Sequence, residues 1–263
     1  MTTQLFNEQS FSAQSFSAQS VQLPALQLHP ALQLSALRFG VERTPVLIAD
    51  QFVAEPQQLV DVACRAEFVA NSPYYPGVRA EAPAAYRQLL LGALQPTLIE
   101  FFQLPASTLS LSVCHFSLIT TPASQLKLLQ RIPHFDTTTP HALAAVHYLF
   151  HAKGTTPNSA SGTAFYRHRK TGFECITPER ELAYYRALES ENDGPNLPKA
   201  NAGYIQGSTA LFEQIGAAHG VFNRIIFYPR HLLHTGIITP DTPLSADPRQ
   251  GRLTISSFID CLS

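Results

Sequence analysis

Residues 109–120 read LSLSVCHFSLIT, a strand-length run at the point after Pro105 where the character of the chain turns from helical to β. Three stretches of the same kind follow: LKLLQRIPHFD at 126–136, LAAVHYLFH at 143–151 and GTAFYRHR at 162–169, each bounded by Pro, Gly, Thr or Asn. Residues 177–199, rich in Glu, Pro, Asn and Asp, read as an insertion with a short helix around Glu179 to Leu188. Strands then resume with STALFEQIG, FNRIIFYPRHLLHTGI and RLTISSFID.

Upstream of 109 the pattern is different. PVLIADQFV, starting at Pro45, reads as a short strand, and the spacing of Leu59, Val60, Ala63, Cys64 and Phe68 predicts an amphipathic helix from Pro56 to about Ala70. A turn-rich stretch, NSPYYPGVRAEAP, leads to a second predicted helix from Ala84 to Phe102, with Pro96 expected to kink or break it. Two helices followed by many short strands predict an α+β, mainly β fold. A double-stranded β-helix of the jelly-roll or cupin-like kind, with the N-terminal helices packed on one sheet, satisfies that order best. The expected organisation is a single domain over 44–263, helical over 44–104 and β over 105–263. Residues 1–38, where FSAQS and ALQL each occur twice, are expected to be a flexible low-complexity extension.

Of the 263 residues, 45% are apolar and 14% charged, which is enough apolar surface to bury a core without staples. The 18 Lys and Arg nearly balance 19 Asp and Glu, so nothing in the charge points to a nucleic-acid backbone or an anionic membrane as partner. Cys64, Cys114, Cys175 and Cys261 form no CxxC pair and read as reduced thiols. The opening MTTQLFNEQSFSAQS has no basic or apolar signal region, and no later apolar run is long enough for a membrane span, so a cytoplasmic location is expected.

The chemistry concentrates in His134-Phe135-Asp136, at the end of one predicted strand, and His234, at the end of another. Alternation along a strand puts residues i and i+2 on one face, so His134 and Asp136 can address one ion. Two imidazoles and one carboxylate make a facial triad that leaves coordination positions open on Fe(II), whereas a structural zinc site would be closed. Arg252, heading RLTISSF, offers a planar fork of donors for the far carboxylate of a dicarboxylic co-substrate. Arg249 is its rival, disfavoured because it sits between Pro248 and Gly251 in an expected turn. His231 is the rival of His234, and only one of the two can face the ion.

These residues, in the order His-x-Asp, then Gly162 with Phe165 and Tyr166, then His234, then Arg252, resemble the 2-oxoglutarate/Fe(II) oxygenase superfamily, in particular its prolyl 4-hydroxylase-like branch. The resemblance covers roughly 105–260. It implies iron held by His134, Asp136 and His234, with 2-oxoglutarate chelating the metal and gripped at its far end by Arg252, and O2 as co-substrate. Hydroxylation of a C–H bond on a protein side chain or small metabolite would follow, with release of succinate and CO2. Gln130, Tyr148 and Tyr166 are candidates to line the co-substrate pocket, and Tyr75, Arg79 and Arg167 to contact the substrate. His141, His147, His151, His168 and His219 read as surface or core residues. Two other readings remain open at this stage: a cupin-like metal enzyme with non-oxidative chemistry, and a silent binding module on the same fold.

Overall fold

The computed structural model describes residues 25–70, 72–151, 161–192, 194–199 and 201–262. Seven strands form one sheet, all neighbours antiparallel: β1 (Gln33–Phe39), β2 (Thr44–Asp50), β3 (Gly77–Glu81), β4 (Thr108–Ile119), β5 (Leu143–Tyr148), β8 (Arg224–Pro229) and β10 (Leu253–Leu262), in the order β1-β2-β8-β5-β10-β4-β3. A second antiparallel sheet has the order β7-β6-β9, from β6 (Gly162–His168), β7 (Phe212–His219) and β9 (His234–Gly236).

Period-2 alternation sorts the side chains into layers. In β2 and β8, Leu47, Ala49, Ile225 and Phe227 face a core shared with α1 (Pro56–Ala63) and α2 (Ala84–Phe102). Their neighbours Val46, Ile48, Ile226 and Tyr228 face the other way and meet Phe165 of β6. In β6 the next residues, Ala164 and Tyr166, belong to a third cluster with Tyr184 of α3 (Pro178–Glu191). The molecule is therefore a mainly β sandwich: two helices, the large sheet, the small sheet and one more helix. The candidate metal ligands lie at the inner face of the small sheet.

α2 runs unbroken through Pro96, contrary to expectation. Tyr86, Leu90, Leu94 and Leu98 make its buried stripe, while Gly92 and Pro96 lie on the exposed side. The Gly92 carbonyl that loses its donor to the proline therefore still has water to bond. α1 ends at Ala63 rather than near Ala70.

Three other stretches differ from their sequence reading. Residues 25–38 do not form a loose extension: β1 pairs with β2 along its length, Leu28 bridges Val53, and Leu26, Leu28 and Leu32 pack against the helical core. The FSAQS repeats lie outside the described residues. The supposedly helical 44–104 supplies β2 and β3 to the large sheet, so helical and β portions share one core. Residues 126–136 are not a strand. A 3-10 turn at Leu128–Gln130 closes on Lys127, whose N–H donates to Gln130 Oε1 at 2.9 Å, because a short apolar run has no period that separates strand from turn. The stretch 222–237 is broken by a turn after Pro229 into β8 and β9, which belong to different sheets.

Candidate metal centre

Although residues 131–136 are irregular, the backbone fixes them against β9. His134 N–H donates to His234 O at 2.9 Å and His234 N–H returns the bond to His134 O at 2.8 Å, while Asp136 N–H donates to Arg230 O at 2.8 Å. Phe135 turns outward onto Tyr184 and Tyr185 of α3, with ring centroids 5.9 and 6.1 Å away, which leaves His134 and Asp136 on the inner side. The alternation expected of a strand is thus kept by one bridge and one anchored phenylalanine.

Three side chains converge there. His134 Nε2 lies 3.9 Å from Asp136 Oδ1, His234 Nε2 lies 3.6 Å from Asp136 Oδ2, and one ligand atom from each residue falls within 4.8 Å of the others. The chemistry of these donors suits a divalent cation. His234 Nδ1 is held at 2.8 Å from Leu232 O, an acceptor, so the proton sits on Nδ1 and the Nε2 lone pair faces Asp136. Desolvation, and then the neighbouring His234 ring, pushes His134 down to about 4, so its imidazole keeps a free lone pair near pH 7. Its side chain keeps 52% of its exposure, which places it at the mouth, whereas His234 keeps 6%. Asp136 Oδ2 is buried and has no hydrogen-bond partner, an arrangement that costs free energy unless a cation meets it. His231, the rival ligand, stands in the turn with Glu42, His141 and Arg180 as its charged neighbours, outside this cluster.

Arg252 sits immediately before β10 and is 4% exposed. Gly251 is required there: a Cβ on it would stand 2.3 Å from Ser245 O, so only glycine lets the chain enter β10 at this angle. The Arg252 Nη2 donates to Gly162 O at 2.8 Å, tying the large sheet to the small one, while its buried Nε has no partner. Among the described residues it makes no ion pair with a carboxylate. Instead its charge is felt by the hydroxyls of Tyr148, Tyr75, Tyr228 and Tyr204, and burial lowers its pKa. Burial also pushes Tyr148 up to about 12, so these phenols are neutral. The guanidinium lies against Gly236, with Nη2 3.7 Å from where a Cβ would be. Gly236 shares a face of β9 with His234, two residues or roughly 6.6 Å away. Tyr228 flanks both groups: its ring is 4.8 Å from that of His234, and its hydroxyl feels Asp136 and Arg252. Arg249, by contrast, is exposed and paired with Asp61 at 3.0 Å.

Of the other sequence candidates, Tyr75, Arg79 and Tyr148 come to this region and three do not. The Arg79 guanidinium carbon lies 4.1 Å from the Tyr75 ring centroid, and Asp136 acts on its charge. Tyr148 faces the space between the sheets, its hydroxyl 2.8 Å from Thr163 Oγ1 and its ring 5.9 Å from Arg252. Gln130 is spent on the 3-10 turn and on Pro73 O, to which its amide donates at 3.3 Å. Tyr166 points to the α3 side of the small sheet. Arg167 is occupied by Glu174 and Glu213, at 2.6 and 2.9 Å.

A model of the family described as "Family of unknown function (DUF6445)" matches residues 30–259. The chain belongs to that family. Among curated proteins none matches it. Two solved structures of HygX from Streptomyces hygroscopicus are similar to this DUF6445 member. One has nickel and 2-oxoglutarate bound (13% identity, 84% of each chain covered, TM-score 0.49). The other has nickel, 2-oxoglutarate and hygromycin B bound (14% identity, 84% of each chain covered, TM-score 0.47). Likeness at this level does not by itself say what a DUF6445 chain binds. None of the described helices is long and apolar enough to cross a membrane.

Sequence reasoning passed over Tyr204, Gly236 and Tyr228. Tyr228 alternates with Ile226 in β8 and would have been picked out had 222–237 been read as two strands. Tyr204 lies in irregular backbone, its hydroxyl donating to Thr121 O at 2.7 Å, and carries no local signal.

Proposed function

We propose that this protein is a non-haem Fe(II)- and 2-oxoglutarate-dependent dioxygenase that hydroxylates a C–H bond of a small metabolite or protein side chain, on a double-stranded β-helix of the jelly-roll kind. The observation that carries this reading is the guanidinium of Arg252. It is buried, lacks a carboxylate partner among the described residues, and lies against Gly236 on the same face of β9 as His234. A cation site with one strand repeat separating it from an unpaired guanidinium is complementary to a short dicarboxylate, one end on the metal and the other on Arg252.

His134, Asp136 and His234 would hold the iron, and with only three protein ligands the metal keeps positions for 2-oxoglutarate and O2. When bound, the metal supplies the oxygen chemistry: one oxygen atom of O2 goes into succinate as CO2 leaves, and the other into the product alcohol. The protein's part is orientation. Leu232 O fixes the His234 tautomer, Gly162 O fixes the Arg252 fork, and the walls of Tyr148, Tyr204 and Tyr228 exclude water while keeping their protons.

The test is succinate formation from 2-oxoglutarate with Fe(II) and O2, with and without candidate substrates, since uncoupled turnover reports the reaction class without the true substrate. Succinate that depends on Fe(II) and disappears in Asp136→Ala is expected. Its absence from the wild type, with 2-oxoglutarate bound and iron loaded, would contradict the reading.

A further inference from the structure

β3, β4, β10 and β5 place Arg79, Ser117, Thr254 and Tyr148 directly opposite one another in register, a polar row across the inner face of the large sheet. Ser117, Thr254 and Tyr148 are all buried. Arg79 ends the row on the edge strand, which is bridged to Val69 by reciprocal backbone bonds of 2.9 Å. Its guanidinium carbon lies over the Tyr75 ring, its buried Nε has no partner, and the Tyr75 hydroxyl is likewise buried without one. Arg79 is half-buried, and the residue also lines an open cavity of about 390 Å³ with Glu67, Val69, Ala80, Glu81 and His115. The acid nearest on its own strand, Glu81, is already taken by Arg87 at 2.7 Å and His115 at 2.9 Å.

Charge decides what this arrangement accepts. The carboxylate that acts on Arg79 is Asp136, and none acts on Arg252. A divalent metal, Arg79 and Arg252 set against Asp136 leave an excess of three positive charges. A dicarboxylate co-substrate removes two of them, and one remains at Arg79. Low-dielectric surroundings make such an excess costly until one more anionic group arrives.

We infer that Arg79, stacked on Tyr75, receives a carboxylate of the primary substrate and so holds that substrate beside the metal centre. The inference rests on the dioxygenase reading for the two charges of the metal and the two of the dicarboxylate, but the Arg79 site itself needs only the geometry above. A single fork facing one uncompensated charge fits a carboxylate better than a phosphate dianion, which would overcompensate it. Arg79 is distinct from Arg252 in this scheme: one selects the substrate, the other the co-substrate.

The experiment is calorimetric titration, in the absence of O2, of Fe(II)- and 2-oxoglutarate-loaded protein with benzoate, acetate and uncharged benzamide. Wild type, Arg79→Gln and Arg79→Lys are compared, and 2-oxoglutarate affinity and the thermal midpoint are measured for each. Expected are binding of benzoate or acetate but not benzamide, a loss of roughly tenfold or more in Arg79→Gln, and partial recovery in Arg79→Lys, with 2-oxoglutarate affinity within about twofold throughout. Equal carboxylate binding by wild type and Arg79→Gln, no carboxylate binding by wild type, or equal binding of benzamide would each overturn the inference. So would collapse of 2-oxoglutarate affinity in Arg79→Gln, which would make Arg79 part of the co-substrate anchor. If 2-oxoglutarate does not bind the wild type while Arg79-dependent carboxylate binding persists with Fe(II) alone, the dioxygenase reading falls and the carboxylate site stands.

Discussion

Glu174 and Arg252 are both charged and almost wholly buried, yet their surroundings are opposite in kind. Glu174 accepts from Arg167 Nε and Nη2 at 2.8 and 2.6 Å and from the backbone N–H groups of Val41 and Glu42 at 2.9 and 3.0 Å, and Arg167 reaches on to Glu213. Arg252 has one carbonyl, an unpartnered Nε and a wall of neutral phenols. The first cluster is closed, with its charges answered inside the protein, and it ties the loop after β1 to the small sheet. The second is open, and under the proposed function its unanswered charge is where the far carboxylate of the co-substrate would go. Burial of a charge therefore says little about function until its partners are counted.

The contrast breaks most visibly at Glu174. Glu174→Ala leaves Arg167 short of its buried partner and two backbone N–H groups without an acceptor, so a stability loss of about 3–5 kcal/mol is expected, a fall in Tm on the order of 10 °C. Arg252→Met should do the reverse. A shape-similar apolar side chain removes a desolvated charge, so Tm stays or rises, while 2-oxoglutarate affinity falls by about 100-fold with the loss of a two-bond carboxylate clamp. Thermal melts and calorimetry on both variants check the pair. A destabilised Arg252→Met protein with intact affinity would place Arg252 in the structural class with Glu174.

A buried histidine away from the candidate site sharpens the same point. His147, on the helix side of the large sheet, stacks 5.7 Å from Tyr86 and meets Asn223 Oδ1 at 3.2 Å, and burial lowers it to about 3. Its neutral form is the one the fold favours. That contribution is whole above the unfolded value of about 6.5 and is lost as pH falls from there towards 3, with a slope of up to about 1.4 kcal/mol per pH unit. His147→Phe, which keeps the ring between Phe52 and Tyr86, should flatten the acid side of the stability profile measured by urea melts; an unchanged slope would refute the assignment. The smallest effect is expected at Arg249, whose exposed pairing with Asp61 is worth less than about 1 kcal/mol, so Arg249→Ala leaves 2-oxoglutarate binding unchanged.

The legible part of this molecule in its sequence was the part encoded by short-range period and residue type. Eight of the ten strands overlap stretches with clear strand signals, α2 ends where its apolar run does, and His134, Asp136 and His234 stand out as an unusual set. Neither β1 nor β3 was visible, because their partners β2 and β4 supply the reason for their extended shape, and Leu34 and Leu37 of β1 remain exposed. Gln130 and Arg167 looked available only because their competing partners, the 3-10 turn and Glu174, are invisible without coordinates. Gly236 has no side chain to notice, and its role is the room it leaves for a guanidinium from another sheet.

The central claim is that the His134, Asp136 and His234 cluster and Arg252 hold the two ends of one molecule. It is tested most directly by titrating 2-oxoglutarate into the protein without O2, with and without Fe(II), in wild type, Asp136→Ala and Arg252→Met, following heat and the visible charge-transfer band together. Both signals should require Fe(II) in the wild type. The band should vanish in Asp136→Ala, while Arg252→Met should retain the metal and show the band only at about 100-fold higher 2-oxoglutarate. Binding that is indifferent to iron, or a band unchanged in Asp136→Ala, would contradict the account.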